Sequence, residues 1–373
     1  MNPTISELFE ENNILKFSVS NLNVSLVNAI RRVILSEIPC LVFRTSPHEQ
    51  NKANITINTT RMNNELLKQR LSCIPIHISD TDFPFEDYIL VVDKKNNSDI
   101  IDYVTTEDFR IKNIKTDTYL DDKNTKEIFP PDSITNDYIL FARIRPRISS
   151  EIDGEHLQLT CALDIGTAKE DSCFNVVSTC SYGCTLDTIK INEMWTSKLK
   201  ELQDSGETPE NIQTFKNDWL LLDAKRYFQP DAFNFIVESV GIFNNKSILF
   251  KAINIIINKL TTFKEALHND VELIKQSNTT IPNCYDITLN NEDYTLGKVL
   301  EYILHHKHFD KSESDKTVSF CGFKKPHPHI DTSLIRLAFH NPTDINVVLD
   351  YLMNASSDAI KIYETIGSEF SEM

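Results

Sequence analysis

Eight cysteines are the side chains of this 373-residue chain best suited to bind a metal ion, but their spacing argues against such a site. Structural zinc sites take four ligands, usually in closely spaced pairs, and the sequence contains no CxxC pair. Cys173, Cys180 and Cys184 lie fairly near one another, at spacings of CxxxxxxC and CxxxC, which supplies three ligands. We interpret them as buried or surface thiols, and we predict no metal site and no cofactor.

Catalytic groups are equally hard to find, because the chain has no G-x-S-x-G, Walker or HExxH motif. His305, His306 and His308 cluster at the end of a predicted helix, where the helix dipole favours cationic or polar side chains. Asp121 and Asp122 are adjacent, but a magnesium-dependent centre needs clustered aspartates, and no strand or loop pattern surrounds this pair. We predict no catalytic residue.

Three arginines at alternate positions, Arg143, Arg145 and Arg147, would share one face of a strand. A basic stripe of this kind can bind nucleic acid. In an acidic chain, three such charges more often form a solvated face or an ion-pair surface with a protein partner. The pattern leaves both interpretations open and favours contact with protein.

Composition points the same way. The formal net charge is −16, whereas proteins that grip nucleic acid through its phosphates have basic surfaces. The length allows two or three domains, and 40% hydrophobic with 25% charged residues is ordinary for a soluble globular protein. The acidic start MNPTISELFEENN lacks the apolar core of a signal peptide, and no run is long enough to span a membrane. We expect an intracellular protein with reduced thiols and no membrane contact.

The rest of the chain is organised around residues 22–39, LNVSLVNAIRRVILSEIP, which have a strong helical pattern. Apolar residues recur there at i, i+3, i+4, i+7 and i+8, which lays one stripe along a helix. Its members are Leu26, Ala29, Ile30, Val33 and Ile34. Asn23 or Ser25 can cap the start, and Pro39 closes the end. Arg31 and Arg32 sit in the middle.

A second helix repeats this pattern late in the chain, at residues 294–304, YTLGKVLEYIL. When Leu296 is aligned with Leu26, the stripe recurs as Val299, Leu300, Ile303 and Leu304. Two amphipathic helices of one pattern in one chain indicate that each is the partner of the other. The alternative is that each stripe is simply the core of its own module.

Four motifs resemble a known family. SLVNAIRRVILSEIP at 25–39 resembles the signature of the alpha-like subunits of multisubunit RNA polymerases, which are the bacterial alpha subunit and the archaeal and eukaryotic third-largest subunit. MNNELLKQRLSCIPI at 62–76 is similar to the helix and strand that open the inserted domain of that family. EDYTLGKVLEYIL at 292–304 and FCGFKKPHP at 320–328 are similar to the small partner subunit, the eleventh of RNA polymerase II. These motifs, with the patterns between them, cover most of the chain.

The resemblance implies an α+β fold with two alpha-type dimerisation modules, paired within one chain, and a mixed, strand-rich insert domain. Residues 5–46 and 221–272 would form the first module, which is discontinuous, and 47–220 the insert. Residues 273–283 would be a linker, and 284–373 the second, eleventh-subunit-like module. Some relatives carry a zinc or iron–sulfur cluster in the insert, but residues 74–137 contain no cysteine.

The patterns also predict individual elements. The predicted strands are 14–20, 40–45, 54–60, 74–79, 88–93, 138–144, 156–163, 233–240, 284–289, 318–323 and 333–339. The predicted helices are 65–70, 192–202, 247–267, 295–306 and a C-terminal helix that Asp344 can cap. Residues 93–137 are polar and acidic, which predicts a surface excursion, and the composition of 203–211 predicts a loop.

The function that the resemblance implies is that of a non-catalytic assembly platform. It would dock the second-largest polymerase subunit, after which the largest subunit joins and supplies the catalytic aspartates. A small tenth-subunit-like partner is also expected, together with DNA contact only through the complex and no homo-oligomer. The residues assigned to subunit docking are Asn28, Arg31, Arg32 and Glu37. Those assigned to the intramolecular dimer interface are Leu26, Ala29, Ile30, Val33, Leu249, Ile253, Ile256, Leu260, Leu296, Val299, Leu300, Ile303, Leu349 and Leu352.

Two other functions stay open. One is a nucleic-acid-binding transcription factor with the same fold, which the net charge disfavours. The other is an unrelated enzyme, which the missing motifs disfavour. In cells the third and eleventh subunits are separate chains, and their fusion resembles the arrangement in some large cytoplasmic DNA viruses. That resemblance implies a location in the host cytoplasm, in a viral factory, and packaging in the virion.

Overall fold

The computed structural model describes residues 2–80, 82–149, 151–312 and 315–372. The chain falls into two units. Unit 1 comprises Met1–Val33, Thr179–Glu238 and Leu249–Met373, and unit 2 comprises Ile34–Ser178 and Ser239–Ile248. Helices and several sheets occur along the chain, which confirms the predicted α+β class.

The elements have the usual lengths for globular proteins, apart from two long helices, α6 and α8. The helices are α1 (Val24–Ser36), α2 (Asn64–Ser72), α3 (Asp122–Ile128), α4 (Thr188–Asp204), α5 (Pro209–Leu221), α6 (Asn245–Asn269), α7 (Tyr294–His308) and α8 (Ile345–Glu372). The strands are β1 (Thr4–Glu11), β2 (Ile14–Ser20), β3 (Cys40–Val42), β4 (Ala53–Asn58), β5 (Tyr88–Lys95), β6 (Asp102–Thr105), β7 (Arg110–Asn113), β8 (Thr118–Tyr119), β9 (Leu140–Ile144), β10 (His156–Ala162), β11 (Asp164–Gly166), β12 (Val177–Leu186), β13 (Phe228–Ser239), β14 (Ile274–Gln276), β15 (Cys284–Asn290), β16 (Val318–Lys324) and β17 (Thr332–Phe339).

We call β1 and β2, together with the parts of α1, β12, β13 and α6 that lie in unit 1, the first half of unit 1. Its sheet has the order β1-β2-β13-β12. β2 buries alternate residues, Leu15, Phe17 and Val19, as its period-two pattern predicted. α1 begins after Asn23, whose Oδ1 accepts a hydrogen bond from the Ser25 backbone N–H at 2.9 Å. The predicted capping residue therefore starts the helix that carries the signature motif.

We call β14, β15, β16, β17, α7 and α8 the second half of unit 1. Its sheet has the order β14-β15-β17-β16. α7 begins after Asp293, whose Oδ1 accepts from the Thr295 backbone N–H at 2.8 Å. Gly297 lies in the first turns of α7, directly beneath the ring of Phe323 in β16. A Cβ atom at position 297 would lie 2.0 Å from that ring, so the close approach requires glycine.

Unit 2 is built on the antiparallel sheet β4-β10-β5-β7-β8, with the pairs β6-β9 and β11-β3 beside it. One apolar core serves this unit. It is centred on large, fully buried aromatic side chains, and α2 contributes Leu67 and Leu71 to it. The buried aromatic members are Phe43, Phe109, Phe129 and Phe141.

Most of the predicted helices and strands occur at the residues where the hydrophobic periodicity placed them. The prediction that residues 93–137 form a surface excursion was wrong. This segment contains β6, β7, β8 and α3. It also contributes Val104, Phe109, Ile111 and Phe129 to the core of unit 2. Its elements are short, so each buries only one or two residues within a polar sequence, and no long period develops. Asp121 caps α3 by accepting from the Asn124 N–H at 2.8 Å.

Two further predictions differ from the structure. The predicted strand at 74–79 is irregular: Ile74 and Ile76 are buried, but Pro75 has no N–H, and His77 N–H donates to the Ile128 carbonyl at 3.1 Å. The sequence patterns also failed to predict α5, β1 and β12. α5 has Ile212, Phe215 and Trp219 at i, i+3 and i+7, a helical spacing that the prediction overlooked, and only Trp219 of the helix is buried.

The predicted division into modules, insert and linker stays a prediction. Two observations bear on its boundaries. Residues 179–220, assigned to the insert, lie in unit 1, where Trp219 packs with Ile191 and Ala224 in a small separate core. The predicted linker contains β14, which pairs with β15 in the register Ile274 with Ile287.

Candidate interface between the two halves of unit 1

The apolar face of α1 is fully buried within unit 1. Leu26, Ala29, Ile30 and Val33 are each at most 3% exposed. The hydroxyl of Tyr363 in α8 donates to the Leu26 carbonyl at 3.2 Å. A buried phenol needs a hydrogen-bond partner, and burial raises the pKa of Tyr363 well above its usual range. The C-terminal helix of the second half therefore packs on the signature helix of the first.

The long helices α6 and α8 are antiparallel neighbours. Lys264 Nζ on α6 donates to Ser357 Oγ on α8 at 2.9 Å. Further toward the start of α6, Ile253 faces Gly367, where a Cβ atom would lie 3.8 Å from Ile253 Cγ2. Because the residue number rises on one helix as it falls on the other, the two helices run in opposite directions.

Arg32 of α1 is bonded to the start of α7. Its Nη2 lies 2.7 Å from Asp293 Oδ2, and its Nε donates to Thr295 Oγ1 at 2.9 Å. Asp293 therefore serves two roles, as the cap of α7 and as the acceptor for the guanidinium. The side chains are 34% and 30% exposed, so the pair is partly shielded from solvent. A negative charge at a helix N-terminus is also favoured by the helix dipole.

A second ion pair crosses the same region, from α6 to the turn before α7. Lys259 Nζ lies 3.0 Å from Glu292 Oε2, and both side chains are 17% exposed. Burial makes such a pair more sensitive to loss of one partner than a surface pair, because the remaining charge keeps little water around it. The pair borders a cavity of about 450 Å³ between α6 and residues 288–296.

The predicted interface residues are almost all in the core, although burial alone does not test their assigned role. Leu249, Ile253, Ile256 and Leu260 of α6 are buried, as are Leu296, Val299, Leu300 and Ile303 of α7. On α8, Leu352 is buried but Leu349 is only half-buried. Val348 is the buried residue of that turn.

The four residues assigned to docking are half-buried. Arg31 Nε donates to Asn28 Oδ1 at 3.0 Å, which leaves this pair on the side of α1 away from its buried stripe. The positive charge of Arg31 reaches Cys180 and Tyr182 of β12, although burial is the larger effect and raises both pKa values. Glu37 follows the end of α1 and, like Arg32, has a partner. Arg32 is thus bonded to the second half, whereas the hydrogen bond of Arg31 stays within α1.

The cysteine cluster is not assembled as a metal site. Cys180 and Cys184 are both on β12, four residues apart, which separates them by about 13 Å along an extended strand. Burial raises the pKa of Cys173 and of Cys180 to about 12, so both are protonated at neutral pH. Among the residues described, no three His, Cys, Asp or Glu side chains are arranged to hold a metal ion. The absence of a bound metal stays a prediction.

The other candidate groups are engaged in packing or ion pairs. His306 stacks on Tyr302, and His308 packs on Tyr351 with ring centroids 4.2 Å apart. Of the three alternating arginines, only Arg143 lies in β9, so they do not share a strand face. Arg145 Nε donates to Glu155 Oε1 at 2.7 Å. An ion-pair surface therefore fits this stretch better than a nucleic-acid stripe. In the described part of the chain, none of the helices combines the length and apolar character of a membrane span.

Sequence reasoning missed four residues at this interface, namely Lys259, Glu292, Asp293 and Tyr363. The signal for Asp293 was present, since an aspartate directly before an apolar-periodic run is a helix N-cap. Tyr363 falls in the apolar stripe that the sequence predicts for the C-terminal helix, but its hydrogen bond to Leu26 was not predictable, and neither was the ion pair of Lys259, because the partners are distant in sequence.

Models of one family, the RNA polymerase Rpb3/Rpb11 dimerisation domain, match residues 16–260 and 284–369. The chain therefore belongs to this family and carries two of its domains. It is similar to subunit RPAC1 of DNA-directed RNA polymerases I and III from Bos taurus, 23% identical over 301 residues that cover 69% of this chain and 82% of the relative. It is also similar to the archaeal DNA-directed RNA polymerase subunit Rpo3 of Methanosphaera stadtmanae, at 26% over 230 residues, 60% of this chain and 74% of the relative. The probable DNA-directed RNA polymerase II subunit RPB11 of Caenorhabditis briggsae is 32% identical over 94 residues, 25% of this chain and 68% of the relative.

Proposed function

We propose that this protein is a non-catalytic assembly platform of a DNA-dependent RNA polymerase, in which the two dimerisation domains pair within one chain. The packing of α1, α6 and α8 in unit 1 carries this proposal. Each domain belongs to a dimerisation family, and each can use the other domain of the same chain as its partner. The relatives, which are named as polymerase subunits, support the polymerase context.

The platform docks the second-largest subunit through α1, and the largest subunit then joins and brings the catalytic groups. A small tenth-subunit-like protein is a further partner, and DNA is contacted only through the complex. Among the four docking residues, Arg31 is best suited to an external partner, because Arg32 already binds Asp293 within the chain. Its planar guanidinium can pair with a carboxylate by two parallel hydrogen bonds. The viral source and the cytoplasmic location stay predictions of the resemblance.

Charge reversal at Arg31 tests the docking role. We expect Arg31→Glu to keep the Tm of the wild type within about 2 °C, because its hydrogen bond to Asn28 is a half-exposed contact of small net value. We expect the same variant to lose co-purification with the second-largest subunit, since reversing a buried interfacial charge costs about 2–5 kcal/mol. Affinity purification of the tagged protein from cells that make the whole polymerase measures this.

The matched control is Lys198→Glu, which makes the same charge change at an exposed position of α4. It should leave both Tm and co-purification unchanged. An Arg31→Glu protein that still enters active polymerase at normal yield would remove the docking role of α1. If the variant instead unfolds, Arg31 belongs to the internal packing of unit 1.

A further inference from the structure

Among the described residues, two ion pairs between the halves of unit 1 have the same polarity. In both, the cation is on the first half, as Arg32 and Lys259, and the anion is on the second half, as Asp293 and Glu292. Another polar contact, from Lys264 to Ser357, also has its cation on the first half. The two surfaces are therefore complementary in charge at these contacts.

The two halves are related closely enough for each position to be compared with its counterpart. Alignment of Leu26 with Leu296 pairs Asn23 with Asp293, and the structure agrees, because each caps its helix by accepting from the N–H two residues later. The same alignment pairs Arg32 with Tyr302. Burial, followed by the charges of Asp310 and Asp231, raises the pKa of Tyr302. On α7, Tyr302 thus takes the place that Arg32 has on α1.

This correspondence shows what two copies of the same half would present to each other. Two first halves would bring Arg32 opposite Asn23, which has no charge, and would bring Lys259 toward the apolar Leu22. Two second halves would bring Asp293 opposite Tyr302. In each case both ion pairs are lost, which disfavours the complex.

We propose that Arg32, Lys259, Glu292 and Asp293 determine pairing specificity, so that a first half binds a second half and not a copy of itself. This inference rests on the intramolecular pairing in the proposed function. Sequence similarity between the two domains makes such discrimination necessary, because related apolar stripes alone would let like modules associate. The linker then favours the pair within one chain by raising its effective concentration.

Charge exchange at positions 259 and 292 in the full chain tests the proposal. This pair is preferred because Glu292, unlike Asp293, does not cap α7 with its side chain. Lys259→Glu and Glu292→Lys should each lower Tm by about 3 °C or more, since like charges then face each other. The double variant Lys259→Glu/Glu292→Lys should regain most of the wild-type Tm and remain monomeric in light scattering.

Co-expression of the two single variants, each with its own tag, measures pairing directly. A change in stability alone would not produce a complex of the two variants. If the two chains exchange halves, the substituted side chains at positions 259 and 292 face each other with their charges reversed. The native Lys259 of one chain then faces the native Glu292 of the other. Both ion pairs therefore re-form in a 1:1 dimer, and we expect tandem purification to recover it. The control replaces Glu292→Lys by Glu265→Lys, a charge reversal at an exposed position of α6, and should yield none.

Single variants with the wild-type Tm, or failure to recover the mixed dimer, would overturn the proposal. The result is separable from the platform function, which is scored by co-purification of the second-largest subunit in the Arg31 experiment. If the mixed dimer is recovered while Arg31→Glu still assembles into polymerase, the pairing specificity is supported and the docking role of Arg31 is not. If the mixed dimer is not recovered while Arg31→Glu loses the second-largest subunit, the docking role is supported and the pairing specificity is not.

Discussion

Adjacent arginines on α1 have different environments because consecutive helical residues differ by about 100° in direction. Arg32 binds Asp293 and Thr295 of the second half, whereas Arg31 binds Asn28 on its own helix. Joint reversal of both residues would therefore mix two effects, weaker pairing of the halves and weaker docking. Separate substitution of Arg31 isolates the docking effect.

Gly297 is a second residue whose role depends on a partner distant in sequence. We expect Gly297→Ala to destabilise the protein by about 1–3 kcal/mol, although alanine is the better helix former, because the added methyl group would displace the Phe323 ring. That ring also packs edge-on against Tyr294 at 5.1 Å between centroids, and this contact would be lost with it. Urea unfolding measures the change.

The control for this substitution is Gly183→Ala on β12, where a Cβ atom has no neighbour within 4 Å. It should be neutral or slightly stabilising. In a Phe323→Ala background, Gly297→Ala should cost little, because the obstructing ring is gone. Equal losses with and without Phe323 would show that the ring does not determine the need for glycine.

Elements with a long, regular period were predictable, and short or polar ones were not. α6 and α8 place an apolar residue at each turn, and β2 and β10 alternate strictly, so the sequence specifies both their type and their buried face. β1 is an edge strand with five acidic or polar residues out of eight, and it is a strand because it pairs with β2.

In the candidate interface, the apolar stripes were predictable but the ion pairs were not. Arg32–Asp293 and Lys259–Glu292 join residues that are 261 and 33 positions apart, so they depend on the tertiary fold.

The sheet of the second half has a pH-sensitive cross-strand pair. Asp286 of β15 lies opposite Arg336 of β17, with two hydrogen bonds of 2.7 and 2.9 Å between carboxylate and guanidinium. Arg336 holds the pKa of Asp286 below its usual value. The pair therefore stabilises the folded state above the unfolded pKa of about 3.9 and loses this contribution as the pH falls through the lower, folded-state pKa.

We expect Asp286→Asn to lower the free energy of unfolding at pH 7 by about 0.2–1 kcal/mol, the usual range for an opposite-charge cross-strand pair that solvent partly screens. The difference from the wild type should shrink as the pH falls below about 4, where the native carboxyl also becomes neutral. Unfolding curves at several pH values measure it. Asp350→Asn, exposed on α8, is the control and should show neither effect. A difference that grows toward low pH would contradict the ion-pair assignment.

At the scale of the whole chain, two domains of one dimerisation family share a polypeptide, matched at residues 16–260 and 284–369. The segment between the matches contains β14, which joins the sheet of the second half, followed by the exposed residues Asn278, Thr280 and Pro282. We expect this covalent connection to bring the halves together during folding. The contacts of α1, α6 and α8 should then keep them together without it.

Cleavage of the folded chain tests that distinction. A protease site inserted after Thr280 should be cut readily because this residue is exposed, and the two fragments should then elute together at the size of the intact chain. The buried face of α1 and the antiparallel pair of α6 and α8 hold them, so separation should require denaturant. A second version with the site after Asp270, ahead of β14, removes the pairing of β14 with β15 as an explanation, and its fragments should also stay together. Fragments that separate at micromolar concentration in both versions would mean that the connection itself maintains the pair, and the proposed intramolecular dimer would lose its basis in these helices.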